Sequence, residues 1–159
     1  LGENFNNRGK RSEEQIDVLR KLWADEAVTY DGTWHKITDA GLNPLPVNKS
    51  IPIWLGGMAP QGIDRVGRLA DGWFPFANKD LANQLEQVRE VARRAGRDPE
   101  SIGIECIVPT NTDADRLKSL QEIGVSHIAM VTMNQELADP AAHIDAISSA
   151  REVLAAAFG

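Results

Sequence analysis

Cysteine is nearly missing from this sequence: Cys106 stands alone among 159 residues. A lone thiol excludes an intrachain disulfide and fits a reducing cytosol. Positive charge is also short. Seventeen Lys and Arg face 23 Asp and Glu, a net charge of -6 that argues against nucleic acid or an anionic membrane as partner. No apolar run approaches the roughly 20 residues that span a bilayer, and no signal peptide is visible, so a cytoplasmic protein is expected. The nucleophile elbow Gly-x-Ser-x-Gly is absent, which removes an α/β-hydrolase. No His, Cys, Asp or Glu grouping has metal-site spacing, so no metal is expected. What remains is 42% hydrophobic and 25% charged, enough for one domain over 1–159 with a real core. Leu1 in place of an initiating Met reads as a piece of a longer chain.

The stretch from Ile51 to Pro75 organises the rest. A short apolar run, Ile53-Trp54-Leu55, meets two glycines, Gly56 and Gly57. Pro60 then opens a helical pattern of Ile63, Val66, Leu69 and Ala70, and Trp73-Phe74 closes the stretch. This predicts strand, glycine turn, helix and strand, one βαβ unit. Without a Cβ the backbone of the turn admits a close ligand, and the helix N-terminus beside it favours phosphate. The plainer reading of the pair is a tight turn that needs positive φ.

Upstream, Gly2 to Arg11 is polar, and Ser12 with Gln15 has capping-box spacing for a helix whose apolar face is Ile16, Leu19, Leu22 and Trp23. Arg8 and Arg11 read as a solvated basic surface. Val28 to Tyr30 and Trp34 to Ile37 flank Asp31-Gly32, a hairpin signal. Thr38 to Ser50, with Pro44 and Pro46, reads as a loop.

Downstream the βα pattern repeats. Asp80 is placed to cap a helix carrying Leu81, Leu85, Val88, Val91 and Ala92, which Gly96 ends. Ile102 to Val108 is a predicted strand. Thr112 is placed to cap the next helix, with Leu117, Leu120 and Ile123, ended by Gly124. Ser126 to Thr132 is a further strand. Asp139-Pro140 opens a last helix bearing Ile144, Ile147, Leu154 and Phe158. The chain thus reads as a helix, hairpin and loop over 1–50 and four βα units over 51–159. The strand runs lack clean alternation, as expected when both sheet faces are covered. An open doubly wound sheet and part of a βα-barrel both fit, although the missing Gly-x-Gly-x-x-Gly weakens the former.

Three segments together carry a family resemblance: RGKRSEEQIDVLRKLW with VTYDGTWHKI, then PLPVNKSIPIWLGG, then GIDRVGRLADGWFP. In order and spacing the chain resembles the C-terminal part of the bacterial luciferase-like monooxygenases, the superfamily using FMN or the deazaflavin coenzyme F-420, and within it the F-420 branch. The resemblance implies the C-terminal half of a TIM (βα)-barrel and a flavin- or deazaflavin-dependent oxidoreductase, with about four more βα units ahead of Leu1. It also implies backbone contacts from Gly56, Gly57 and Met58 to the cofactor phosphate. At the C-terminal ends of the following strands, Trp73, Phe74, Pro75, Pro109, Thr110 and Thr132 are the other candidates, of which Trp73 and Thr110 complete the expected cofactor set.

Acid–base chemistry has little support. His35, His127 and His143 fall on a hairpin, at a strand entry and on a helix, where structural or solvated roles suffice. Glu105 alternates with Ile104 and Cys106 and is expected to point into a barrel interior as a paired structural carboxylate. In such enzymes the ring carries the redox chemistry, so no catalytic residue is assigned. Two other classes compete: a catalytically inert half-barrel, and an α/β module binding a phosphorylated small molecule. The expected partners are a small-molecule substrate and a second copy of the chain, because four parallel strands leave bare edges at Ile53 and at Ile128 to Val131.

Overall fold

The computed structural model describes residues 4–159. They fall into two compact units that divide between Ile53 and Trp54.

The first unit holds helix α1 (Arg8–Ala24) and an antiparallel hairpin of β1 (Val28–Asp31) and β2 (Lys36–Ala40). The helix starts at Arg8, not at Ser12. A 3-10 turn, Phe5–Asn7, feeds straight into it, and the Asn4 side chain accepts from the Asn6 N–H at 3.0 Å. Ser12 and Gln15 therefore lie inside the helix, and their spacing does not mark its start. Ile16 and Trp23 are buried as expected, but Leu19 is exposed and Val18 is buried instead. Val18 lies about 200° around the helix from Ile16, so α1 is covered on two sides rather than along one stripe.

A single carboxylate organises the hairpin turn. Glu14 accepts from the backbone N–H groups of Thr33 (2.9 Å), Trp34 (2.8 Å) and His35 (2.7 Å), and it pairs with His35 Nδ1 at 2.9 Å. Burial opposes its charge, but the His35 ring and the three N–H groups outweigh that and hold the carboxyl down at about 2.

The second unit is four βα units in sequence: β3 (Trp54–Gly56), α2 (Pro60–Leu69), β4 (Gly72–Phe74), α3 (Leu81–Arg94), β5 (Gly103–Pro109), α4 (Ala114–Glu122), β6 (His127–Val131) and α5 (Pro140–Phe158). The strands pair in chain order, all parallel. Helix ends follow local chemistry. Gly96 (φ 71°) and Gly124 (φ 103°) take the left-handed conformation, and the following N–H groups of Arg97 and Val125 bond back to Ala92 and Leu120. Asp139 caps α5 by accepting from the Ala142 N–H at 2.9 Å, with Pro140 at the first helical position. Two expected caps differ. Asp80 sits at the N-cap of α3 but makes no capping hydrogen bond. At α4 the cap is Asp113, which accepts from the Arg116 N–H at 2.8 Å, while the Thr112 hydroxyl donates to the Pro109 carbonyl.

Helices α2 to α5 cover one face of the sheet. On it Trp73, Ile104, Cys106 and Val108 join Val66, Leu85, Val88, Leu117 and Leu120 in one core. Gly67 lets α2 and α3 close up: a Cβ there would meet Val91 at 2.6 Å. Burial also pushes the Cys106 thiol up to about 11, against the partial opposition of Arg116, so it is inert at neutral pH. The opposite face is open. Burial along β5 alternates, with Ile104, Cys106 and Val108 buried while Ile107 is 39% exposed. This departs from the expectation of two covered faces. Phe74 (38%) and Phe76 (67%) are exposed as well. Glu105 lies on this open side, half-buried, in register with His127. The last helix differs too: Ile144, Ile147 and Phe158 are exposed, and Ala150 is the residue it buries fully.

Candidate active site

Parallel register brings the C-terminal ends of four strands to one rim, which is where βα sheets place their sites. At the first end Gly56 has nothing within 4 Å of where a Cβ would stand. Gly57 has φ 105°, a conformation that disfavours any side chain. The next turn begins helix α2 at Pro60, with Ala59 at the N-cap and no side-chain cap. Gly62 sits close under the loop, since a Cβ there would come within 3.2 Å of Gly57. The result is a bare backbone loop over a helix N-terminus, open on the Gly56 side.

Two expected site residues support this loop through bonds of their own. Trp73 is fully buried on the covered face, and its indole N–H donates to the Gly57 carbonyl at 3.0 Å. Met58 is half-buried, and its sulfur accepts from the Phe76 N–H at 3.5 Å. The loop is thus tied to β4 through Trp73 and to the segment just after β4 through Phe76.

Thr110 is 4% exposed at the end of β5. Its N–H donates to the Val131 carbonyl at 3.0 Å, and its hydroxyl donates to Gln135 Oε1 at 2.9 Å. Gln135 in turn donates from Nε2 to the Val131 carbonyl at 2.6 Å. The flanking Asn134 and Glu136 both have positive φ, 60° and 53°, so this amide pins a locally strained loop between β6 and α5. Thr132 Oγ1 meets His143 Nδ1 at 2.7 Å. His127 Nδ1 lies 2.9 Å from Ser126 Oγ at the opposite end of β6. Each histidine therefore has a polar partner. Among the described residues no group of three or more His, Cys, Asp or Glu could hold a metal, and no helix is long and apolar enough to cross a membrane.

Sequence reasoning missed two residues here. Gln135 acts through tertiary contacts and leaves no pattern. Trp54 lies across the open face below the rim: a Cβ on Gly72 would be 2.0 Å from its ring, and one on Gly103 2.6 Å. The ring also packs on Phe74 (centroids 5.2 Å) and meets His127 edge-on (5.5 Å). A glycine at the head of each of two neighbouring strands was the available signal, because glycine inside a strand often marks a close approach. Separately, a cavity of about 280 Å³ between α4, α5 and β6 is lined by Leu117, Gln121, Val125, Ser126, Ile128, Leu154 and Phe158, none of which stands at the rim.

The family model for luciferase-like monooxygenase matches residues 1–156. The chain belongs to that family. A member from Microbacterium testaceum, described as an F420-dependent glucose-6-phosphate dehydrogenase, is 37% identical over 73 residues, 46% of this chain and 21% of its own length. An F420-dependent hydroxymycolic acid dehydrogenase of Mycobacterium tuberculosis is 31% identical over 102 residues, 63% of this chain and 28% of its own. Among solved luciferase-like structures, an F420-dependent secondary alcohol dehydrogenase superposes with a TM-score of 0.79 at 18% identity, covering all of this chain and 64% of that one. A long-chain alkane monooxygenase superposes with a TM-score of 0.77 at 12% identity, covering 98% and 58%. The chain thus spans less than half the length of the curated relatives it matches, and its four βα units are the partial barrel of this family.

Proposed function

We propose that this chain is the phosphate-holding half of an F-420-dependent oxidoreductase barrel. The observation that carries the reading is the Gly56-Gly57 loop: positive φ at Gly57, open space at Gly56, and an uncapped helix N-terminus behind them. Such a loop offers backbone N–H groups and positive dipole density to a phosphate without needing a basic side chain. The residues therefore fit the phosphate arm of a flavin or deazaflavin, with Gly56, Gly57 and Met58 lining it. Trp73 holds the loop's shape, and Thr110 with Gln135 holds the rim opposite. A bound deazaflavin would supply hydride exchange with the substrate, and the chain's part would be to fix its phosphate at Gly56, Gly57 and Met58. F-420 is favoured over FMN because two relatives above 30% identity, those from Microbacterium testaceum and Mycobacterium tuberculosis, are described as F420-dependent.

A fluorescence titration with F-420 and with FMN tests this. Gly57→Val puts a branched side chain at a positive φ against the phosphate path, and we expect affinity to fall at least tenfold. Unchanged affinity of the variant for both cofactors would overturn the assignment. Tighter binding of FMN than F-420 would move the reading to the oxygen-using branch, for which the likeness to the alkane monooxygenase is the supporting observation.

A further inference from the structure

We infer that the substrate side of this half-barrel takes a neutral, largely apolar molecule, and that Trp54 is the specificity-determining floor on which it rests. The inference builds on the cofactor reading above and names the substrate class of the same site.

Trp54 lies flat over Gly72 and Gly103, where any Cβ would collide with the indole. It touches Phe74 and His127 as well, so one side chain from β3 reaches across to β6. Gly56, at the rim, is two residues further along the same strand, about 7 Å at the usual strand rise. Strand tilt shortens that height further. The space between floor and phosphate loop is therefore about two aromatic thicknesses deep. Its walls are the partly exposed carbon surfaces of Phe74, Phe76 and Ile107, with the half-buried Glu105 among them. A flat or compact apolar group fits there.

Charge points the same way. Strands β3 to β6 carry no Lys or Arg, and the ionisable groups of their open face are Glu105 and His127. The four loops that follow those strands contain one cation, Lys79, against Asp80, Asp113, Glu136 and Asp139. A cleft lined with one sign of charge repels ligands of that sign. The cofactor phosphate is served by backbone N–H groups, and for a second anion these loops add only Lys79 and the N-terminus of α3, beside the Asp80 carboxylate. The charges of these four loops therefore disfavour a sugar phosphate, the substrate class named for the Microbacterium relative.

The test uses the indole N–H resonances of the 159-residue chain. Trp54 on the open face and Trp73 on the covered face are assigned by Trp54→Phe and Trp73→Phe. Because the Trp73 N–H donates to Gly57, its resonance reports on the phosphate loop, while that of Trp54 reports on the floor. We expect cyclohexanol to move the Trp54 resonance saturably and leave Trp73 still, and glucose 6-phosphate to move neither. Saturation-transfer binding of cyclohexanol should weaken at least fivefold in Trp54→Ala and stay within about twofold in Trp54→Phe. Movement of Trp54 by glucose 6-phosphate, no response to cyclohexanol, or equal weakening in both variants would each overturn the inference. F-420 or FMN moves Trp73 if the cofactor reading is right. A silent Trp73 alongside a responsive Trp54 would fail that reading and leave the floor standing.

Discussion

The two units of this chain are stabilised by different physics. Residues 54–159 close around one continuous apolar core in which Trp73, Val66, Ala92, Cys106, Leu117 and Leu120 have no exposed surface. Before Ile53 the buried apolar side chains are Ile16, Val18, Trp23 and Val28, each still slightly exposed, and the hairpin turn hangs on one carboxylate. Apolar burial is non-directional and scales with area, so it tolerates pH and suffers from cavities. A carboxylate lock is directional and local, so it tolerates distant repacking and suffers from acid. The unit that carries the candidate site is the one held by apolar burial.

The largest loss is expected from hollowing the core of the second unit. Leu117→Ala removes a fully buried side chain from the covered face and should cost about 2–5 kcal/mol. Ile107→Ala, on the open face of the same sheet, should cost the isolated chain less than about 1 kcal/mol, because its side chain is already partly in water. Equilibrium urea unfolding of the two variants measures both. Equal losses would mean that something covers the open face as well as the helices cover the other.

A somewhat smaller effect is expected where Trp54 crosses the sheet. Gly72→Ala drives a Cβ into the indole and should cost about 1–3 kcal/mol. Trp54→Ala removes the obstacle, so the double variant should recover most of that loss. The interaction energy of this cycle, read from the same urea transitions, is favourable if the ring lies where the structure puts it. Additive losses would contradict the placement.

Chemistry at Cys106 sharpens the contrast further. A thiol held up to about 11 by burial stays protonated and out of reach at pH 8. A thiol-specific disulfide reagent should label it only as fast as the second unit opens, and Leu117→Ala should speed labelling by the factor that its lost stability predicts. Rapid labelling of the native chain would show a core much looser than this one.

What the sequence made legible was local. Asp139-Pro140, Gly96 and Gly124 act within a turn of where they stand, and their roles follow from backbone chemistry alone. The order of strands and helices followed from apolar spacing, and the glycine loop from its place between β3 and α2. Trp54, Glu14 and Gln135 were not legible, because each works on partners far along the chain. Trp54 looked like one more apolar strand residue until Gly72 and Gly103 came beneath it. Ile144 and Ile147 misled in the opposite sense: their helical spacing is real, yet periodicity says which residues share a face and not whether that face is covered.

The smallest expected effect belongs to the first unit and is set by pH. Glu14 has its carboxyl held at about 2 in the folded chain, against 4.5 when free. A depressed carboxylate stabilises the fold fully above its unfolded value and loses that stabilisation as pH falls through its folded value. The window is therefore from about pH 4.5 down to about pH 2, and nothing from this group should change between pH 5 and 8. Glu14→Gln keeps the shape but halves the acceptors and removes the charge that faces Thr33, Trp34 and His35. The variant should melt below the natural chain at pH 7, and the gap should narrow between pH 4.5 and 2.5 as the natural chain loses what the variant never had. Trp34 emission and circular dichroism at both pH values measure it, since Trp34 contributes one of the three N–H groups. A gap that stays constant down to pH 2.5 would show that Glu14 acts through its shape alone. The hairpin turn would then be held by packing, and the contrast between the two units would reduce to core size.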